Sequence, residues 1–452
     1  MKSVRWVPIC TLTLTLVISA CSGGSAPVAP VDPKVALTDV LKMIDEDAAN
    51  SPPPLLGAAS RCSSIVPILD PFDDVSYMPQ SDANQDWMAQ RAALIGDRQL
   101  RELALPGSHD SGTYPIDGSS FIPAEIAAGN ADAADYLLSF NVLRSDFKDF
   151  PASSITAALA KWARAQRHIM DVQLKAGVRY FDLRVIPSQT GLDFYTTHGL
   201  QGAKLGSLLK ELRAFLKLHP KEIVVLNFQH LFSRTGKDGG MSADDLQTMY
   251  SLVTAYLDPK LVDRSLGPDP FAIALNDLWS KNRQVVVLFD DATVARLSDT
   301  MKRNVWSAKS ATQYWGNTTS WWGDTGTLSY LNSAVGRVGT EFSVLQGQMT
   351  PTQEIILKRS GLAIVKGMFA ALIACYSTYS DDFSKSVVTS SQKILDSINE
   401  HDLETMSLKE EAQDSNPQLT QWIQQHKPRN VVIADFIADY PDLIQAIIDS
   451  NM

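Results

Sequence analysis

Leu103-Ala-Leu-Pro-Gly-Ser-His-Asp-Ser-Gly-Thr-Tyr114 decides how the rest of the chain is read. A short apolar run ends at Pro106-Gly107, and a histidine with an aspartate beside it comes next. A strand delivers a proton-transfer group to the mouth of a site in this way, because an imidazole titrates near neutral pH and serves as acid or base. Gly107 and Gly112 let the backbone turn tightly and let a ligand approach closely. By itself the segment also fits an ordinary strand-to-loop corner, so its reading depends on partners elsewhere.

The partners stand at the ends of other apolar runs. Residues 178–185, 222–228, 284–289 and 430–436 join 103–106 as strands, and 157–176, 204–218, 242–257, 386–399 and 419–426 read as helices. Near-continuous apolar strands separated by helices imply a parallel sheet buried on both faces. The runs finish on Ser108-His109, Asp182 and Arg184, Gln229-His230, Asp290-Asp291 and Asp435. Polar groups gathered at the carboxyl ends of parallel strands are what a (β/α) barrel site requires. An open doubly wound sheet is the rival, but no Gly-rich phosphate loop follows the first strand. The expected fold is therefore α/β, a barrel occupying 85–452.

Asp182 and Arg184, two residues apart in a strand, point to the same side. A guanidinium there can clamp a phosphate with two parallel hydrogen bonds; an internal ion pair fits the same spacing. His198, in Tyr195-Thr-Thr-His-Gly199, sits at a second strand-to-loop corner. Asp435 can orient a histidine or cap the helix after it. Gln229, His230 and Asp290 are candidates for substrate contacts at the rim, while His168, His219, His401 and His426 read as structural. Two histidines, one arginine and supporting carboxylates form a set suited to phosphodiester cleavage. One ring removes a proton from the nucleophile, the other protonates the leaving oxygen, and the arginine neutralises charge on phosphorus oxygens.

The 452 residues are 45% hydrophobic and 20% charged, with a formal net charge of -10, which suits a large globular core. No Lys/Arg block appears, which excludes a nucleic-acid function, and an acidic body has no electrostatic pull toward anionic membranes. Lys2 and Arg5 precede an apolar run over 7–20 that is short for a bilayer span, so 1–20 reads as a secretory signal. Val17-Ile-Ser-Ala-Cys21 resembles the bacterial lipobox, which implies an exported lipoprotein anchored through a lipid on Cys21, at the outer membrane or cell surface. Residues 22–33 read as a Gly/Ser/Ala/Pro tether within a 21–84 linker, with one short helix over 35–47. Residues 362–378 carry Lys366 and read as core. Cys62 and Cys375 suit either a disulfide in an oxidising compartment or two buried thiols.

Leu105-Pro-Gly-Ser-His-Asp-Ser-Gly-Thr113, Gln173-Leu-Lys-Ala-Gly-Val-Arg-Tyr-Phe-Asp-Leu-Arg184 and Thr197-His-Gly199 resemble the successive motifs of the phosphatidylinositol-specific phospholipase C X domain. Pro428-Arg-Asn-Val-Val-Ile-Ala-Asp-Phe436 is similar to that family's last barrel strand, and Trp87-Met88 to its stand-alone bacterial X-domain members. The resemblance is specific over about 100–230 and 428–448 and thin over 240–425. It implies a distorted (β/α)8 TIM barrel and a division of roles. His109, oriented by Asp435, would be the base on the inositol 2-hydroxyl; His198, with Asp110 coupled to it, the acid for the diacylglycerol oxygen; Arg184 the phosphate clamp. The product would be a cyclic inositol phosphate, and the partner a phospholipid at a membrane surface met by a monomer. Eukaryotic members place calcium-binding acids on the strand where this chain has Asp182-Leu-Arg184. The arginine charge would repel the ion, so neither calcium nor another cofactor is expected.

Two departures mark the chain. Secreted bacterial members carry lysine after the strand corresponding to 222–228, where Gln229-His230 stands here. Extra length falls in insertions at 115–161 and 302–348, the second holding Trp306, Tyr314, Trp315, Trp321, Trp322 and Tyr330. Those aromatics suit a membrane interface, a sugar ring or the barrel side. The rival functions are a related glycerophosphodiester phosphodiesterase, which would need a metal, and a surface lipoprotein that binds glycolipid without turnover.

Overall fold

The computed structural model describes residues 69, 74–79, 81–120, 143, 152–235, 239–335, 341–400 and 407–452. The signal segment, Cys21, the tether, the 35–47 helix, Cys62 and most of the 115–161 insertion lie outside the described residues.

The five apolar runs become strands and others join them: Ala104–Ser108 (β1), Tyr180–Pro187 (β2), Phe194–His198 (β3), Leu200–Lys204 (β4), Val224–Leu231 (β5), Val285–Phe289 (β6), Val305–Ser307 (β7), Ala311–Tyr314 (β8), Phe342–Gln346 (β9) and Asn430–Ala434 (β10). They form one sheet in the order β7-β6-β5-β2-β1-β10-β9-β8, with an antiparallel β3–β4 hairpin attached to β2. Every pair along that path is parallel. The path's two end strands, β7 and β8, are consecutive in the chain and joined by residues 308–310. The chain itself, rather than a hydrogen-bond ladder, closes the ring there. This is a distorted (β/α)8 barrel, as the family resemblance implied.

The interior packs tightly. A Cβ on Gly107 would lie 2.6 Å from Ile433 Cγ2 and 2.9 Å from Val431 Cγ1, so glycine sets how closely β10 approaches β1. At the amino-terminal end of the strands, helix Trp87–Gln90 (α1) plugs the barrel. Its Trp87 indole donates to Gly177 O, and the Met88 and Ala89 amides donate to Glu222 Oε1 at 3.1 and 3.0 Å. Glu222 also takes the buried Arg179 guanidinium at 2.7 Å.

Four expectations need correction. Residues 157–176 are not one helix but two, Ala152–Ala163 (α2) and Met170–Ala176 (α3). Tertiary bonds replace helical ones between them: the Ala165 and Gln166 amides donate to Thr113 Oγ1, and Ala165 O accepts from Phe436 N. His168 lies in this break, buried, 2.7 Å from Asp439 Oδ1. The 302–348 segment is not an insertion, because it supplies β7, β8 and β9; these strands are short and partly polar, and so lack an apolar run. The last long helix begins at Leu408 rather than 419: Ser407 caps Leu408–His426 and Pro417 lies inside it, removing one ladder bond without ending the helix. Finally, β5 runs on to Leu231, which puts Gln229 and His230 within the strand.

Between β9 and that last helix stand Gln353–Tyr376 and Asp382–Glu400, which pack against each other. Leu362, Ile364, Val365 and Phe369 are buried in the first, so the 362–376 run is core. Cys375 is disulfide-bonded. No helix among the described residues is long and apolar enough to cross a membrane. Trp306 and Trp321 are buried, with Arg264 stacked over Trp306 at 4.4 Å, whereas Trp315 and Trp322 are exposed.

The Arg179–Glu222 pair carries a stability prediction. Glu222→Gln leaves a fully buried guanidinium uncompensated and is expected to cost about 3–5 kcal/mol in urea unfolding. A loss under about 1 kcal/mol would show that the plug does not depend on this charge.

Candidate active site

Parallel pairing of β1 with β10 places Ser108 opposite Ala434, and the amide of His109 donates to Ala434 O. His109 and Asp435 are thus the next residues beyond two paired strand ends. His109 Nδ1 lies 2.7 Å from Asp435 Oδ1. On β2, alternation turns Asp182 and Arg184 inward, and Arg184 Nη2 stands 2.9 Å from His109 Nε2. Because a guanidinium only donates, Arg184 can bond Nε2 only in the neutral ring; in the imidazolium both nitrogens donate, Nδ1 to Asp435 and Nε2 toward Asp110.

Asp110 is the hub. Its Oδ1 lies 2.7 Å from Arg184 Nε, and its Oδ2 is 3.3 Å from His109 Nε2 and 3.4 Å from His198 Nε2. One carboxylate oxygen therefore faces both imidazoles, whose ring centroids are 5.9 Å apart. His198 is carried by the β3–β4 hairpin, and its Nδ1 donates to Ala163 O at 3.0 Å. The hairpin is clamped to the His109 loop: Gly112 O accepts from Thr196 Oγ1 and Ala203 N, and a Cβ on Gly112 would sit 2.3 Å from Thr196 Cγ2.

The two rings titrate in opposite directions. Burial pulls the His109 pKa down, but the charges of Asp110 and Asp435 and the bond to Asp435 outweigh burial and the opposing Arg184, raising it to about 9. A proton on Nε2 has Asp110 Oδ2 as its acceptor. For His198, burial dominates; Asp110 pulls up, Arg184 and His109 push down, and the pKa falls to about 4. Burial alone would raise Asp110, yet Arg184 and the two histidines hold its carboxyl below the ordinary range. Burial raises Asp435, with His109 opposing.

The structure thus brings His109, Asp110, Asp182, Arg184, His198 and Asp435 together. Gln229 is the extra residue of a bulge in β5, where Arg184 aligns with His230 rather than with Gln229. His230 is near enough for its charge to act on Asp110. Asp290 instead caps helix Asp291–Arg296 by accepting from Thr293 N at 2.9 Å, the usual task of an aspartate between strand and helix. His109, Asp110 and Asp182 each offer a donor atom within 4.8 Å of the others, a grouping able to hold a cation. The Arg184 guanidinium is already ion-paired there, at 2.7 Å from Asp110 and 3.6 Å from Asp182.

Sequence reasoning missed the residues that hold this frame. Gln166 Nε2 donates to both His109 O and Ala434 O, tying the two strand ends together. Thr113 Oγ1 donates to Asp110 O, and Asn416 Nδ2 donates to Asp435 O. Each is an ordinary polar residue whose local sequence carries no signal, since its partner is a backbone carbonyl.

The fold and site together define an α/β barrel with two histidines, an arginine and carboxylates at the strand ends. PI-PLC X domain-containing protein 2 of Mus musculus is 30% identical over 239 residues, 52% of this chain and 61% of that protein. PI-PLC X domain-containing protein 3 of the same species is 25% identical over 372 residues, 81% of this chain and 93% of that protein. Variant-surface-glycoprotein phospholipase C of Trypanosoma cruzi is 30% identical over 178 residues, 39% of this chain and 43% of that protein. The chain thus spans less than two thirds of the first relative. Among solved structures, a mutant phosphatidylinositol-specific phospholipase C from Staphylococcus aureus has a TM-score of 0.46 at 16% identity, covering 83% of this chain and all of that one. No family model matches. In sequence the chain is thus similar to PI-PLC X domain-containing proteins and to a phospholipase C.

The opposed titrations are checked by NMR of the histidine rings. His109 is expected to stay protonated through neutral pH and lose its proton near 9, while His198 stays neutral down to about 4. Two rings both titrating near 6.5 would show that Asp110 does not couple them.

Proposed function

We propose that the protein is a phospholipase C-like enzyme that cleaves the phosphodiester of phosphatidylinositol-type lipids to diacylglycerol and a cyclic inositol phosphate, without a metal. The observation that carries this reading is Asp110 Oδ2 standing 3.3 and 3.4 Å from the reactive nitrogens of two imidazoles, with Arg184 beside it. His109 Nε2 takes the proton of the ring hydroxyl next to the phosphate. That oxygen bonds to phosphorus, the bond to the diacylglycerol oxygen breaks, and His198 Nε2–H protonates the leaving oxygen. Arg184 balances the charge on the phosphate. A neighbouring hydroxyl makes the attack intramolecular, which lowers the barrier through pre-paid orientation.

One turnover leaves the proton on His109 and none on His198. The free site favours that same distribution, with a raised His109 and a lowered His198. An entering phosphodiester anion beside His198 favours the imidazolium there, and Asp110 Oδ2 relays the proton across. The resting enzyme is thus reset by its substrate. Arg184 supplies the fixed positive charge that a calcium ion would otherwise provide, which supports metal independence.

We place the protein outside the cytoplasm as a bacterial lipoprotein anchored through Cys21 and acting as a monomer on membrane phospholipid. Its signal-like start and the disulfide at Cys375 support an oxidising compartment.

The test is to incubate the protein with phosphatidylinositol in chelator and identify the soluble product by phosphorus NMR. A cyclic phosphodiester is expected, and His109→Ala or His198→Ala should lower turnover by about 10²–10⁴ with circular dichroism unchanged. Unchanged turnover in either variant would overturn the two-histidine reading, and activity lost in chelator would overturn metal independence.

A further inference from the structure

The last long helix, Leu408–His426, lays one face against the barrel. Leu408, Glu411, Ala412, Ser415, Asn416 and Leu419 are buried at spacings of three and four, the pattern of an inward stripe. Within it Glu411 is the one residue that titrates. Asn416, further along the stripe, donates to Asp435 O at 2.8 Å. Leu408 and Ala412, on either side of Glu411, join an apolar cluster with Phe436, the residue after Asp435. The helix thus brings Glu411 up to the carboxylate that holds His109 Nδ1 at 2.7 Å.

Glu411 is 8% exposed, and its Oε2 is buried without a hydrogen bond. An ionised carboxylate in an apolar setting demands a partner, so such a group keeps its proton instead. Burial pushes the Glu411 carboxyl up first, and Asp435 pushes it further. Arg359, half-buried on Gln353–Tyr376, opposes them, Asp414 and Glu410 on its own helix add to the rise, and the outcome is about 8. The other elements packed against this helix carry Lys161 in α2 and Asp442 and Asp449 in Pro441–Asp449, and Asp449 is paired with Arg91 at 3.0 Å.

An acid that keeps its proton when folded and loses it when unfolded costs stability as pH rises from the ordinary carboxyl range through its folded value. A neutral side chain in the same stripe would avoid that cost, so the position calls for a role beyond packing.

We propose that Glu411 is a positioning residue that acts on His109 through Asp435. While Glu411 holds its proton, Asp435 alone stands behind His109 Nδ1. Once Glu411 releases it, a second negative charge stands behind the pair and strengthens the hold of His109 on its own proton. The release comes on the way up to the pH, near 9, at which His109 lets go. Glu411 therefore carries the singly protonated pair of imidazoles to a more alkaline pH than Asp435 alone would. The inference rests on the proposed reaction for its effect on turnover, whereas the coupling of Glu411 to His109 is read in the free protein.

Histidine-ring NMR compares the wild type with Glu411→Gln, which keeps the shape of the side chain and cannot ionise. His109 is expected to titrate about half a unit to one unit lower in the variant, and the alkaline limb of kcat/KM for phosphatidylinositol should move down with it. Thermal unfolding supplies a sign that a merely structural role would not give. The variant should match the wild type at about pH 5 and melt higher than it at about pH 9, because it has no proton to lose. Carboxyl-carbon NMR of the wild type repeats the test without a substitution: Glu411 should titrate near 8, and its step should appear in the His109 resonance. His109 titrating alike in both proteins, a Glu411 step absent from its resonance, or a variant that melts lower at alkaline pH would overturn the coupling. A shifted His109 in a protein that cleaves no lipid would sink the proposed reaction and leave the coupling standing.

Discussion

Parallel pairing of β1 with β10 is the constraint on which the site depends. Five residue pairs, Ala104 with Asn430 through Ser108 with Ala434, join the first and last strands of the barrel. Asn451 locks the start of β1 by accepting from Ala104 N and donating to Ala104 O, and Gln166 locks its end by bonding both strands. His109 and Asp435, 326 positions apart, meet only when this ladder forms. The loop entropy of closing so long a segment is borne by the whole sheet rather than by the site. The geometry of the candidate site is therefore a property of barrel closure.

The backbone just past this ladder is strained. Asp110 and Phe436, next but one beyond Ser108 and Ala434, both adopt left-handed backbone, with φ of 43° and 50°. Such conformations cost of order 1–3 kcal/mol for non-glycine residues and persist where surrounding bonds hold them. The holding bonds are present: Ser111 N to Asp182 O, Thr113 Oγ1 to Asp110 O, and Phe436 N to Ala165 O. The strain turns Asp110 toward both rings. It also concentrates Asp110, Asp182 and Asp435 around one arginine. With three carboxylates and one guanidinium, the cluster retains a proton on an imidazole, which is why His109 rises while the more isolated His198 falls.

The half of the barrel that carries the candidate site was legible because its signals are local. His109, Asp110, Asp182, Arg184, His198 and Asp435 each end or follow an apolar run, and strand alternation alone turned Asp182 and Arg184 to one side. The β7–β9 half was not legible. Strands of three to five residues with polar members, such as Thr312-Gln-Tyr314, do not stand out from loop sequence, and so 302–348 read as an insertion. The α2–α3 break was hidden for a different reason: Ala165 and Gln166 leave the helix for tertiary partners, and propensity contains no information about those. Asp290 shows the converse error, since a polar residue at a strand end serves equally well as a helix cap.

These two halves differ mechanically as well as in legibility. The strands β5, β2, β1 and β10 form a continuous ladder and carry the clustered histidines, Arg184 and carboxylates of the candidate site, directly or through the hairpin on β2. The strands β7 and β8 are short, meet through the chain rather than through hydrogen bonds, and lead into the loop bearing the exposed Trp315 and Trp322. A site needs its proton-transfer groups fixed within tenths of an ångström. The rigid half is thus the half suited to holding proton-transfer groups in place. A chain of hydrogen-bonded amides spans both halves, from Asn227 and Tyr180 to Gln313 and Gln346, and so ties the short strands mechanically to the ladder that carries the candidate site.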